Sequence, residues 1–311
     1  MIAKMYFLMT VDVESFSIPL NRCDYETGKR VYEQGLPSLL DLFAKHDCEC
    51  TFYFTGEMAE MFPEAVEMVR DAGHEIGCHG YDHSPQRAFD SLRYKEQVEE
   101  LKRAKKVIED VAGRTESFRA PMLRINEDTV HALEETGFKT DSSVASQRFD
   151  GPFTFGSRRK LKWLIAPRKP YYLSYKSTVR RGKSSILEIP ISAFLISYSG
   201  TVMRRSPFLT KILQKYLFFE AKITNKPVVF LIHPNECLEV KGEIIPTRRS
   251  ENFFEYIFAD VIRQKLKLKN LGGVALRLLD ELLESVKKNE PEFISVRKYK
   301  KIYDMTKENE H

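Results

Sequence analysis

The chain has 311 residues, 42% apolar and 30% charged, which is ordinary for a folded water-soluble protein and enough for one large α/β domain or two small ones. No apolar run approaches the roughly 20 residues a spanning helix needs, which excludes an integral membrane protein of the helical kind. Net charge is +5, unevenly spread: residues 1–150 hold 18 Lys+Arg against 28 Asp+Glu, and residues 151–311 hold 31 against 16.

Met5–Val11 reads as a buried strand, and it leads into the acidic pair Asp12 and Glu14. It has neither the length nor the cleavage region of a signal peptide. Residues 35–45 have helical spacing, and Cys50–Phe54 is β-branched and aromatic, a second strand. Pro63–Ala72 is a helix with proline in its first turn and Gly73 just past its end. His74–Cys78 is a third strand, followed at once by His79-Gly80-Tyr81-Asp82-His83. A long charged helix over Ser91–Val111 comes next, then a strand at Ser117–Ala120, a helix over Glu127–Thr136 and a strand starting at Phe138. This alternation means parallel βαβ units, whose chemistry gathers at the C-terminal ends of the strands. Asp12, Glu14, His79, Arg119 and Asp141 all fall at or just past such ends. Further on, Ser185–Ile191 and Pro227–His233 read as strands, Ala275–Val286 as a helix and Phe293–Val296 as a final strand.

Residues two apart on a strand point the same way, so Asp12 and Glu14 can face one pocket with Thr10 behind them. A lone Asp-x-Glu is more often a helix cap or surface loop. Joined by His79 and His83, it becomes a candidate open divalent-metal site, with zinc first and iron, cobalt, nickel or manganese as alternatives. His233, at the mouth of the apolar run Val228–Ile232, is placed to move a proton or to bond a turn. His74 reads as structural. Cys48 and Cys50 are spaced too tightly for a zinc pair, and five scattered cysteines give no disulfide framework, so a reducing cytoplasm is expected.

Five segments occur in order: Thr10-Val11-Asp12, His79 to His83, Phe118-Arg119-Ala120-Pro121, Asp141-Ser142-Ser143 and Leu231-Ile232-His233-Pro234. With them the chain resembles a polysaccharide deacetylase of the NodB-homology type, carbohydrate esterase family 4, over roughly residues 5–145 and 186–237. The resemblance implies an α/β fold, a distorted (β/α) barrel of about seven parallel strands. No internal repeat or Gly/Ser linker divides the chain, so a single domain over residues 1–311 is expected, with 146–206 an irregular basic insertion and 238–311 supplying helices and a last strand that close the barrel. The resemblance also implies roles: Asp12 as base, Glu14, His79 and His83 as metal ligands, Arg119 holding the base, Asp141 steadying Arg119, and His233 as acid. Met122 would supply an oxyanion N–H, with Pro121, Tyr81, Pro234 and Asn235 lining the substrate. In the family's usual first motif the ligand is an aspartate directly after the base; here Val13 stands there and Glu14 one later.

The expected activity is metal-dependent removal of an N-acetyl group from a sugar or glycan. The alternatives are an amidase or deformylase acting on an N-formyl sugar, cyclic imide or ureide, with or without metal, and a non-catalytic glycan-binding relative. The basic half favours an anionic partner, such as a lipid-phosphate-linked sugar or an anionic membrane surface at the cytoplasmic face. Phe208, Leu209, Ile212, Leu213, Tyr216 and Leu217 share a helical face, which core packing would also explain. No nucleic-acid partner is expected, because the basic residues lack an interleaved aromatic pattern.

Overall fold

The computed structural model describes residues 4–149, 158–240 and 263–308. Ten strands form one curled sheet. They are β1 (Tyr6–Val13), β2 (Cys50–Phe54), β3 (Glu75–Cys78), β4 (Ser117–Phe118), β5 (Thr140–Asp141), β6 (Tyr171–Ser174), β7 (Ser177–Arg181), β8 (Leu187–Glu188), β9 (Val228–Ile232) and β10 (Glu292–Phe293). Their order is β9-β1-β2-β3-β4-β5-β8-β6-β7, and β10 also pairs with β1. The path from β9 to β8 is parallel throughout, giving the seven parallel strands expected. The curl closes where the Ser192 hydroxyl accepts the Val229 N–H and the Leu231 N–H reaches the Tyr198 carbonyl at 3.3 Å.

Strand alternation sorts the core into two parts. Phe7, Met9, Val11 and Val13 face outward to the helices, whereas Leu8 faces inward with Tyr53, Leu187, Ile189 and Val229. The helices earn their places through apolar faces and caps: Leu39 and Phe43 are fully buried on helix Leu36–Lys45, and Thr55 and Asn126 cap the helices that follow them.

Two expectations need correction. The segment Phe293–Val296 is not one strand: β10 ends at Phe293 and a helix runs over Val296–Glu308. That helix stoppers the N-terminal end of the barrel with Val296 and Tyr299, and its first turn donates from Val296 N to Thr51 and from Arg297 N to the buried Glu75. The terminal region therefore seals the floor, while the closing contacts come from residues 192–198. The basic middle region is also more regular than expected, because it contains the hairpin β6–β7. Arg248 and Arg249, counted in the basic half, lie outside the described residues.

Candidate active site

The site sits at the C-terminal ends of the parallel strands. On β1 and just past it, Thr10, Asp12 and Glu14 alternate inward and are all buried. Beyond β3, His79 is followed by Gly80 at φ +70°, and a Cβ there would lie 3.0 Å from Pro121 Cγ. Glycine is needed on both counts. The Gly80 and Tyr81 carbonyls accept the N–H groups of Gly56 and Glu57, pinning the loop that carries both histidines.

Glu14, His79 and His83 bring one ligand atom each to within 4.8 Å of one another. Glu14 Oε2 is 3.0 Å from His83 Nε2 and 3.6 Å from His79 Nε2. Among the described residues Glu14 Oε2 and His79 Nε2 are buried with no hydrogen-bond partner. His79 Nδ1 donates to the Arg119 carbonyl at 2.8 Å, so its Nε2 carries the lone pair. Burial pushes the Glu14 pKa up, but His83, His79 and His233 outweigh it and hold the carboxyl at about 2. Burial also holds the His83 imidazole below its usual value against the pull of Glu14. A carboxylate with two imidazoles, two of the three atoms orphaned, is a donor set that fits a divalent cation.

Asp12 is oriented by a fully buried arginine. Arg119 Nη1 donates to Asp12 Oδ1 at 2.8 Å and to Thr10 Oγ1 at 3.0 Å. Its Nε and Nη2 donate to the Ser142 carbonyl and hydroxyl at 2.9 and 2.8 Å, and its guanidinium lies 4.5 Å over the Tyr53 ring. This leaves Asp12 Oδ2 facing the site, 3.8 Å from His79 Nε2 and 3.9 Å from His233 Nε2. On the far wall His233 Nδ1 donates to Glu236 Oε1 at 3.0 Å, and Arg204 Nε donates to Glu236 Oε2 at 2.5 Å. Burial works against the charged imidazole, but the Glu236 hydrogen bond and the carboxylates of Glu14, Glu236 and Asp12 raise its pKa to about 9. The side chains of His83 and His233 are 13% and 23% exposed, against 4% or less for Asp12 and Glu14, so the site opens past the two histidines.

Other expected site residues are placed differently. Asp141 acts on Arg119 through its charge and not through a hydrogen bond: its Oδ1 accepts from the Ser143 hydroxyl, and the neighbouring Ser142 grips the guanidinium. The buried carboxyls of Asp141 and Glu188 interact directly, side chain to side chain. Burial raises both carboxyls, Asp141 to about 6, so the pair shares a proton. Tyr81 points away from the site: its ring lies on Gly56, its hydroxyl donates to Glu60, and Arg103 sits 3.5 Å over it. Pro234 packs on Gly35, where a Cβ would lie 2.7 Å from the Pro234 carbonyl oxygen. Asn235 donates to the Phe16 carbonyl at 2.8 Å, and the Phe16 ring packs 5.6 Å from His83. Both act as buttresses. Met122 and Leu123 both have φ 55°, strained for residues with side chains, directly after Pro121.

Residues 24–140 match the family model described as polysaccharide deacetylase. That stretch is similar to a polysaccharide deacetylase domain. It is 33% identical over 127 residues to a peptidoglycan deacetylase of Helicobacter pylori, covering 40% of this chain and 42% of that one. It is 28% identical over 129 residues to a peptidoglycan-N-acetylglucosamine deacetylase of Bacillus cereus, covering 40% and 45%. The chain thus spans under half the length of these curated relatives. Among solved structures, Puue allantoinase superposes with a TM-score of 0.59 at 15% identity, over 97% of this chain and 90% of that one, a likeness of fold alone.

Sequence alone does not mark several residues of this site. Ser142 stood inside a quoted segment without a role. Glu236, three residues after His233, and Arg204 form a buried charge relay behind the imidazole. Glu188 is paired with Asp141 across 47 residues of chain, and nothing local signals it.

Proposed function

We propose that the chain is a metal-dependent hydrolase that removes the acetyl group from an N-acetylated amino sugar of a glycan. One observation carries this reading: Asp12 Oδ2, left facing the site because Arg119 takes Oδ1, lies between His79 Nε2 and the charged His233 Nε2. Glu14, His79 and His83 would hold the cation, zinc first, with iron, cobalt, nickel or manganese also suited to the set. When bound, a divalent cation polarises an amide carbonyl and lowers the pKa of water.

Asp12 takes a proton from the attacking water as oxygen adds to the acetyl carbon. The Met122 N–H is assigned to the developing oxyanion, a contact of the kind that contributes roughly 10²–10³ in rate. His233 gives its Nε2 proton to the sugar nitrogen as the C–N bond breaks, and Glu236 keeps that imidazole charged beforehand. The products are acetate and a free amine.

The test is acetate release from N-acetylglucosamine oligomers by the purified chain, with and without added divalent metal, beside an N-formyl sugar and a cyclic ureide. Metal-stimulated acetate release lost in Asp12→Asn supports the reading. Turnover of the ureide or formyl substrate alone, indifferent to metal, would replace it with the amidase alternative.

A further inference from the structure

Helix Pro207–Thr224 presents an unusual outer surface. Its inner face buries Thr210, Leu213, Gln214, Leu217, Phe218 and Ala221. Leu213 and Leu217 are therefore core, as simple packing of the apolar stripe would place them. The outer face exposes Phe208, Leu209, Ile212, Tyr216, Phe219 and Ile223, with Phe208, Phe219 and Ile223 each more than 60% exposed. At about 100° per residue these six fall within one arc of about 100°. Lys211, Lys215 and Lys222 are also exposed and fall in the adjacent arc of about 40°.

The helix has one acid, Glu220, and it is bound by Arg168 and Lys226 at 2.5 and 2.6 Å. Lys211 approaches Glu281 of the next helix only to 4.0 Å, with both side chains exposed, a contact of little strength. The apolar strip continues onto Phe194, whose ring lies 4.7 Å from Tyr216, and onto exposed Leu195 and Phe149, joined by a backbone hydrogen bond. Leu195 and Phe149 lie beyond the C-terminal ends of β8 and β5, the end of the barrel that carries the site.

We propose that this helix docks the protein on an anionic lipid bilayer, its apolar arc entering the headgroup boundary and its lysine row lying against the phosphates. An apolar arc beside a row of lysines whose one described carboxylate contact, Lys211 to Glu281 at 4.0 Å, is weak is complementary to such a surface. A second copy of the chain is a poorer match, because a symmetric pair brings the same patch to itself, lysines to lysines. Among the described residues no helix is long and apolar enough to cross a membrane, so docking is peripheral. This inference does not rest on the deacetylase reading.

The experiment is vesicle sedimentation of the purified full chain with phosphatidylcholine vesicles and with vesicles containing phosphatidylglycerol, at low and high salt. Sedimentation with the anionic vesicles only, weakened by salt, is expected. Phe219→Ser/Ile223→Ser and Lys211→Glu/Lys215→Glu/Lys222→Glu should each lower the partition about tenfold, with unchanged melting temperature and far-ultraviolet circular dichroism. Failure of the wild type to sediment with anionic vesicles overturns the proposal. So does equal partition of wild type and both variants. A concentration-dependent dimer that Phe219→Ser/Ile223→Ser dissolves, without vesicle binding, overturns it in favour of a second copy.

Discussion

Arg119 donates to Asp12 Oδ1 at 2.8 Å, and neither side chain is more than 3% exposed. A buried ion pair of this kind is costly to break on one side, about 3–5 kcal/mol, because the remaining charge is stranded. Its consequence is directional: with Oδ1 held, only Oδ2 faces the two histidines.

Arg119→Lys keeps a positive charge but loses the fork that binds Asp12, Thr10 and Ser142 together. The expected result is a folded protein whose kcat falls by roughly 10²-fold, read by steady-state kinetics of acetate release.

Glu236→Gln removes the charge behind His233 while keeping an acceptor for Nδ1. His233, now raised to about 9 chiefly through Glu236, should fall toward its ordinary value. The acid form of His233 is then lost at lower pH, so the alkaline limb of the kcat profile moves toward neutrality, by about one unit or more.

The Asp141–Glu188 pair makes stability depend on pH in the less common direction. Asp141 rises from 3.8 to about 6 on folding, so the folded state binds more protons than the unfolded one. Stability from Asp141 is present at low pH and lost as pH rises from about 4 to about 6, and Glu188, raised further, extends the loss to higher pH. Glu188→Gln keeps the hydrogen bonds and removes the competing charge. Its melting temperature relative to wild type should rise between pH 5 and pH 8, by roughly a few degrees.

Gly80→Ala meets both a positive φ and the Pro121 ring 3.0 Å from the new Cβ. A loss of roughly 1–3 kcal/mol in denaturant unfolding is expected, with weaker metal retention because His79 and His83 flank the turn.

The residues proposed as ligands and proton carriers were legible in the sequence because each lies at or just past the end of an apolar strand, and parallel strands deliver their C-terminal ends to one rim. Asp12, Glu14, His79, His83, Arg119 and His233 all meet there. Tyr81 was misread because the direction of a loop side chain is set by what packs on it, here Gly56 and Arg103. Asp141 is paired with Glu188, and although Ser185–Ile191 reads as a strand, nothing in the sequence says that it lies beside Asp141. The hairpin β6–β7 was hidden by its Arg, Lys and Ser content, although Tyr171 and Leu173 alternate into the core.

The most direct measurement is kcat for acetate release by Asp12→Asn, with bound metal determined on the same preparation by elemental analysis and His79→Ala alongside. Asp12→Asn is expected to keep about one ion per chain while kcat falls by roughly 10²–10⁴, and His79→Ala is expected to lose the ion. An Asp12→Asn enzyme with kcat within about twofold of wild type would contradict these roles, as would an ion retained undiminished by His79→Ala.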